Sequence, residues 1–226
     1  ADQLPPVVHS ERLLPLAPGQ RAAHDRQAGV ARRLLAAWQA SGWCSDSDQW
    51  RLAQALQGMQ QACHRADPAD PASPLAEATV QALAAALDDL AGTGAPRAAV
   101  LCASTADRDQ LAQRLADHAG AAGVALLAAG EPLPGGIDVV LQAGVPWRPR
   151  RQPAGPRGEA PAGQQWLYLV AQDGIDGGLF DTLAARLDLP RSPADGGARG
   201  WLQGDALQQW LRALQAALAA TPSAAA

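Results

Sequence analysis

The sequence predicts an α/β domain of three layers, in which a small, mostly parallel sheet is preceded by a helical segment and followed by a C-terminal helix. Three observations carry that reading. Apolar residues in the middle of the chain come as short unbroken runs, the pattern of strands buried on both faces, and these runs alternate with stretches of helical period. The composition is 48% hydrophobic but only 4% aromatic, because alanine supplies much of the apolar count. That suits closely packed helices and opposes an all-β domain. The length, 226 residues, allows one large domain or two small ones.

Residues 4 to 18 carry Pro5, Pro6, Pro15 and Pro18 around Val7-Val8-His9-Ser10-Glu11-Arg12-Leu13-Leu14. Each proline removes an N–H and biases its predecessor away from the helix, so this segment is extended. From Gln20 to Gln39, Val30, Leu34 and Trp38 share one helical face. Ser45-Asp46-Ser47-Asp48 can cap a second helix with the stripe Leu52, Leu56, Met59 and Cys63. A Pro/Asp linker from Ala66 to Pro74 follows, and Ser73-Pro74 reads as an N-cap with proline at the first helical position. The helix it opens carries Ala76, Val80, Leu83, Leu87 and Leu90 up to Gly92.

Strands are then expected over Ala98–Ala103, Val124–Ala128, Ile137–Gln142 and, most clearly, Trp166–Val170. Thr105 can cap a helix with Leu111 and Leu115; another, with Leu179, Leu183 and Leu187, ends at Pro190. Leu207, Leu211, Leu214 and Leu218 mark the terminal helix. The domain reading is therefore 1–72, an extended segment plus a helical subdomain; 73–190, the α/β lobe; and 191–226, a linker and C-terminal helix.

All 18 basic residues are arginine; the chain has no lysine. A P-loop needs a lysine to reach the terminal phosphates, and Schiff-base chemistry needs its amine, so neither can be built from this chain alone. A net charge of −4 gives no argument for nucleic acid from overall charge, which leaves a local basic patch as the route. Cys44, Cys63 and Cys102 are odd in number and unpaired in spacing, which excludes a disulfide framework and points to the reducing cytoplasm. No apolar run approaches the roughly 20 residues of a membrane span. The opening Ala1-Asp2-Gln3, without Met, reads as a piece of a longer polypeptide.

There is no G-x-S-x-G, no H-E-x-x-H, and no G-x-G-x-x-G after a strand. Cys63-His64 lacks further ligands at metal spacing and reads as a structural pair. One segment stands apart. Arg148, Arg150, Arg151 and Arg157 crowd the stretch from Trp147 to Arg157, with no acidic residue among them, just after the strand Ile137–Gln142. In open α/β sheets ligands bind at the carboxyl ends of strands, and guanidinium forks suit phosphate oxygens. The same Pro/Gly-dense composition is also that of a solvated loop.

The order of these features resembles the C-terminal RecA-like lobe of Swi/Snf-type DNA-dependent ATPases, in helicase superfamily two. Leu4-Pro5-Pro6-Val7-Val8 and Leu14-Pro15-Leu16-Ala17-Pro18-Gly19-Gln20-Arg21 are similar to the family's entry segments, and Gln60-Gln61-Ala62-Cys63-His64 matches part of its R-Q-x-C-N-H-P element. Ala99–Ser104 resembles a strand of the lobe. Asp138-Val139-Val140-Leu141-Gln142-Ala143-Gly144-Val145-Pro146-Trp147-Arg148-Pro149 looks like the strand running into a P-W-N-P turn, with Arg148 in place of asparagine. Trp166 to Asp176 is similar to the strand leading into a G-T-I-E-E helix.

The departures point to a shortened, degenerate lobe. The family's Q-x-x-x-R-x-x-R-x-G-Q loop survives as Gln152, Gly163-Gln164 and one remnant finger candidate, Arg157, one residue out of register; the second arginine falls near Glu159. About 35 residues separate the first strand from Asp138, too few for the usual extra strand and its G-L-N-L motif. The resemblance implies a RecA-like lobe of a bacterial, nucleoid-associated protein. It implies packing against an N-terminal RecA-like lobe and contacts to double-stranded DNA through Arg148, Arg150, Arg151 and Ser104. ATP and Mg would be met only through that partner lobe, near Arg157, Gln152 and Gln164. An arginine finger stabilises transferring phosphoryl charge, so its loss leaves little ATPase drive. The alternative from another class is a non-catalytic protein-interaction module built on the same lobe, for which exposed tryptophans among Trp38, Trp43, Trp50, Trp201 and Trp210 would speak.

Overall fold

The computed structural model describes residues 8–70, 72–93, 97–145, 164–184, 202 and 204–221. Strand β1 (Val8–Leu14) lies in the stretch expected to be extended and ends just before Pro15. Helix α1 (Pro18–Ser41) has proline in its first turn, where a missing N–H costs nothing. It stops at Gly42, whose φ of 68° is left-handed backbone that favours glycine. Helix α2 (Asp46–His64) is capped as expected by Ser45, whose Oγ accepts the Asp48 N–H at 3.1 Å.

The next cap differs from the expectation. Helix α3 (Glu77–Gly92) begins three residues after Pro74, with Ala76 at its N-cap and no side-chain bond there. Ser73 is instead buried, its Oγ accepting the Asp67 N–H at 2.7 Å, so the hydroxyl closes the preceding turn rather than opening a helix. Strand β2 (Ala98–Leu101) leads into α4 (Thr105–Arg114), capped by Ser104 rather than Thr105. A single 3₁₀ turn (Ala119–Ala121) precedes β3 (Ala125–Leu127); then come β4 (Val139–Ala143), β5 (Gln165–Ala171), α5 (Ile175–Ala184) and α6 (Gly204–Ala219).

The sheet order is β1-β5-β4-β2-β3, and β3, β2, β4 and β5 run parallel to their neighbours, with Val100 opposite Leu126 and Leu141, and Leu141 opposite Leu167. This is the α/β, RecA-like arrangement expected from the unbroken apolar runs. All of β2 and the first three residues of β4 are buried, as parallel strands covered by helices must be.

Two compact units share the chain. One holds β1, the stretch Pro74–Gly144 and β5 up to Val170; its core joins Leu83 and Leu87 of α3 to Val100, Leu111, Leu141 and Leu169. The other holds Pro15–Ser73, Val145 and the chain from Ala171 on. There α1 packs on α2 through Ala28, Ala31 and Leu35 against Leu52, Leu56 and Met59, and α5 and α1 cover the Trp210, Leu211 and Leu214 face of α6. Each fully buried leucine in these faces contributes about 2 kcal/mol of transfer free energy.

Candidate functional site

In the first unit, β2 delivers Cys102, Ala103 and Ser104 to its carboxyl end. Ser104 Oγ accepts the Asp107 N–H at 3.1 Å and donates to Asp107 Oδ2 at 2.9 Å, so this candidate for DNA contact serves as the cap of α4. Arg108 on the next turn donates to Glu131 Oε1 at 2.8 Å and to Asp109 Oδ1 at 3.0 Å. Gln164, placed by the resemblance near a nucleotide, is 2% exposed. Its Nε2 donates to the Ile137 carbonyl at 3.0 Å, and its Oε1 accepts the Trp166 indole N–H at 3.2 Å. These bonds tie the entry of β5 to the entry of β4. Arg148, Arg150, Arg151, Gln152 and Arg157 lie outside the described residues.

In the second unit, three segments quoted for the resemblance meet. Gln20, buried in the first turn of α1, accepts the Ala17 N–H through Oε1 and donates through Nε2 to the Arg65 and Cys63 carbonyls, at 3.1 and 3.4 Å. Arg21 donates to the Asp173 and Gln172 carbonyls at 2.8 and 3.2 Å and pairs with the Asp173 carboxylate at 3.3 Å. The guanidinium thereby holds the turn after β5, in which Asp173 has a left-handed φ of 57°. Gly174 follows because a Cβ there would sit 2.9 Å from Cys63 Sγ.

At the centre, His64 Nε2–H donates to Asp176 Oδ2 at 2.6 Å, across 112 residues of sequence, and the same oxygen accepts the Ala171 N–H at 3.3 Å. Both residues are buried, and His64 Nδ1 and Asp176 Oδ1 have no partner among the described residues. His24, fully buried, sits beside them: its Nε2 accepts the Ile175 N–H at 3.0 Å and its Nδ1 faces Asp25 Oδ1 at 3.2 Å. A neutral ring with its proton on Nδ1 satisfies both contacts.

Burial lowers the His24 pKa below its ordinary 6.5, although the hydrogen bond to Asp25 pulls it upward. The unfolded chain therefore takes up this proton more readily than the folded one, and stability falls as pH drops below about 6.5, by at most about 1.4 kcal/mol per pH unit for one site. In His24→Gln the amide oxygen can accept from Ile175 and nothing titrates. Urea midpoints measured between about pH 7 and 5 are expected to decline less steeply in that variant than in the native chain; equal slopes would sink the assignment.

The knot holds a thiol, an imidazole and a carboxylate, but its chemistry is structural. Burial pushes the Cys63 thiol well above its usual range, and it raises Cys44 to about 11 and Cys102 to about 12. All three are free and buried, so none offers a thiolate to solvent at neutral pH. Among the described residues no group of three or more His, Cys, Asp or Glu could hold a metal ion, and no helix is long and apolar enough to cross a membrane.

No model of a protein family matches the chain, and no curated protein does. Solved structures do. A chain in the crystal structure of fission yeast Ccq1 and Tpz1 is similar over 96% of this chain and 83% of its own, at 11% identity and a TM-score of 0.53. The likeness is one of fold. Two further structures are of the kind that the sequence resembles. The C-terminal domain of the Sulfolobus solfataricus SWI2/SNF2 ATPase matches at 11% identity and a TM-score of 0.46, over 81% of this chain and 88% of that one. The C-terminal part of the Fun30 ATPase domain matches at 11% identity and a TM-score of 0.44, over 79% and 89%.

Sequence reasoning left the His64–Asp176 bond unseen, although both residues stand in quoted segments. The signal was available: a buried-stripe position followed by histidine, and an acidic residue in the first turn of the helix after the strand Trp166–Val170. His24 carried no such mark, being one polar residue in a long amphipathic helix.

Proposed function

We propose that this chain is the C-terminal helicase lobe of a bacterial Swi/Snf-type protein, holding double-stranded DNA by its phosphates and packing against a first RecA-like lobe, with no ATPase activity alone. The observation that carries the reading is the position of β4. It is an inner strand of a parallel sheet, and Arg148, Arg150, Arg151 and Arg157 follow its carboxyl end in sequence, where such sheets take their ligands. Backbone contacts of this kind hold any sequence and weaken with salt. ATP and Mg would be bound by the partner lobe, whose P-loop lysine this chain lacks, with Arg157 the one candidate to reach the nucleotide.

The test joins the chain to its first lobe and titrates a duplex over about 50 to 200 mM salt. Arg148→Ala/Arg150→Ala/Arg151→Ala is expected to flatten the log–log salt slope by about 2.7, three phosphates at about 0.9 each. An unchanged slope and affinity would remove the DNA role.

One observation favours the second reading, a protein-interaction module. Trp38 and Trp210 are buried, but Trp43 is 73% exposed on the loop between α1 and α2. That loop is held in shape by Ser41, whose Oγ accepts the Trp43 N–H and donates to the Trp43 carbonyl. A large aromatic on a preorganised loop is an economical anchor for a partner protein. Loss of neither DNA affinity nor salt slope in the triple variant would leave this reading in place.

A further inference from the structure

The second unit carries a cavity of about 520 Å³ on its surface, between α1 and α2. Arg26 and Gln27 line it from α1, and Gln54, Gln57, Gly58 and Gln61 from α2. Its volume lies within the range of sites that enclose a small ligand or a short peptide stretch. No acidic residue lines it, and none of the four glutamines or Arg26 makes a side-chain hydrogen bond or ion pair with another described residue. Five polar side chains elsewhere in the same unit, those of Gln20, Arg21, His24, Gln49 and Gln60, bond to backbone or to a neighbour.

Gly58 shapes the cavity from the α2 side. Glycine in the middle of a helix is less favourable than alanine, since it has more backbone freedom to lose on folding. Here its missing side chain leaves room for Gln27, since a Cβ would come within 3.0 Å of the Gln27 Cγ and Cδ atoms. The helix thus gives up stability where the cavity opens.

We propose that this cavity binds an extended peptide segment bearing an acidic side chain. Each carboxamide offers an N–H donor and a C=O acceptor, the same pair that an extended main chain presents along its edge. Arg26, the single cation, fits one carboxylate through a two-pronged bond. A nucleic-acid strand is a poorer match, because its phosphates present acceptors only and need a cation for each charge held. Trp50 lies one turn before Gln54 on the same face of α2 and is 47% exposed, an apolar flank to the amide row. From Trp50 to Gln61 the helix rises about 16 Å, the reach of about five extended residues. The inference stands apart from the DNA role: it concerns another surface and another class of ligand.

The full chain would be panned against phage-displayed random peptides, and the enriched peptides synthesised and titrated by calorimetry. Expected are peptides with a shared Asp or Glu, whose binding falls about ten-fold or more in Gly58→Leu, which fills the cavity, and in Gln57→Ala/Gln61→Ala, which removes two amides. Arg26→Glu should abolish the acidic preference. All four sites lie on the surface of α1 or α2, and circular dichroism verifies that each variant stays folded. Three results would each overturn the proposal: no acidic peptide enriched over a bait-free control, binding unchanged in folded Gly58→Leu and in the double-glutamine variant, or displacement of the peptide by a DNA duplex that itself loses affinity in Gly58→Leu.

Discussion

His64→Ala is expected to destabilise the chain by about 3–5 kcal/mol, the range for removing one partner of a buried, hydrogen-bonded pair. The substitution strips Asp176 of the one side-chain donor it has among the described residues and leaves a fully buried carboxylate with the Ala171 N–H. The same substitution opens a void where an imidazole stood, and that adds to the loss. Asp176→Ala should cost about as much. Asp176→Asn should cost only about 1–2 kcal/mol, because an amide oxygen in the place of Oδ2 can still accept both the His64 Nε2–H and the Ala171 N–H. The amide nitrogen then stands in the place of Oδ1, which has no partner among the described residues. Urea unfolding at neutral pH, with the slope m unchanged, reads all three. Equal losses for Asp176→Asn and Asp176→Ala would show that the carboxylate charge, rather than the hydrogen bonds, holds the knot.

Two adjacent glycines in α5 are expected to respond with opposite signs. A Cβ on Gly178 would overlap the Ala217 backbone of α6, meeting its carbonyl oxygen first. Backbone cannot swing aside as a long side chain can, so Gly178→Ala must push α6 away from α5 and loosen the packing of Trp210, Leu211 and Leu214. Overpacking of this kind costs about 1–3 kcal/mol or more, against a helix-propensity gain of about 1 kcal/mol. A net loss of about 2 kcal/mol is expected. Gly177→Ala meets nothing within 4 Å and should gain a few tenths to about 1 kcal/mol by restricting the unfolded chain. Thermal and urea unfolding of the two variants side by side decide the matter; a stabilised Gly178→Ala would mean that α5 and α6 do not touch there.

The elements that announced themselves in the sequence are those governed by local rules. Unbroken apolar runs placed β2, β4 and β5, and stripes of period 3.6 placed α2, α3 and α6, because burial on one or both faces imposes those periods directly; α1 was placed too, but its buried face runs through Ala31, Leu35 and Trp38 rather than Val30 and Leu34. Caps were less legible where two hydroxyls compete. Ser104 and Thr105 stand side by side, and the residue with extended φ,ψ, Ser104, takes the role. Ser73 was misread because its own neighbourhood could not reveal Asp67 as a closer partner. The buried knot was legible as segments and illegible as contacts. Gln20, Arg21, His24, His64, Asp173 and Asp176 are held only by tertiary folding, across up to 152 residues, and no local period records such a bond. The row of glutamines facing Gly58 was hidden for a different reason: a polar residue on an exposed helix face looks the same in sequence whether it meets water or a ligand.

Strand β1 has a consequence beyond extending the sheet by one. It lies beside β5 (Gln165–Ala171), a strand whose residues from Trp166 on are mostly apolar and buried, and its Ser10 hydroxyl donates to the Trp166 carbonyl. On β1 itself the side chains of His9, Ser10, Glu11 and Leu13 are exposed, so the strand is polar for most of its length. A fragment cut after Leu14 would leave β5 as a seven-residue hydrophobic edge with its N–H and C=O groups open to any passing strand, the template from which aggregates grow. The first strand is thus a guard rail: it closes the sheet with charges and a histidine where the interior would otherwise show, and it makes the segment before α1 inseparable from a strand more than 150 residues further on.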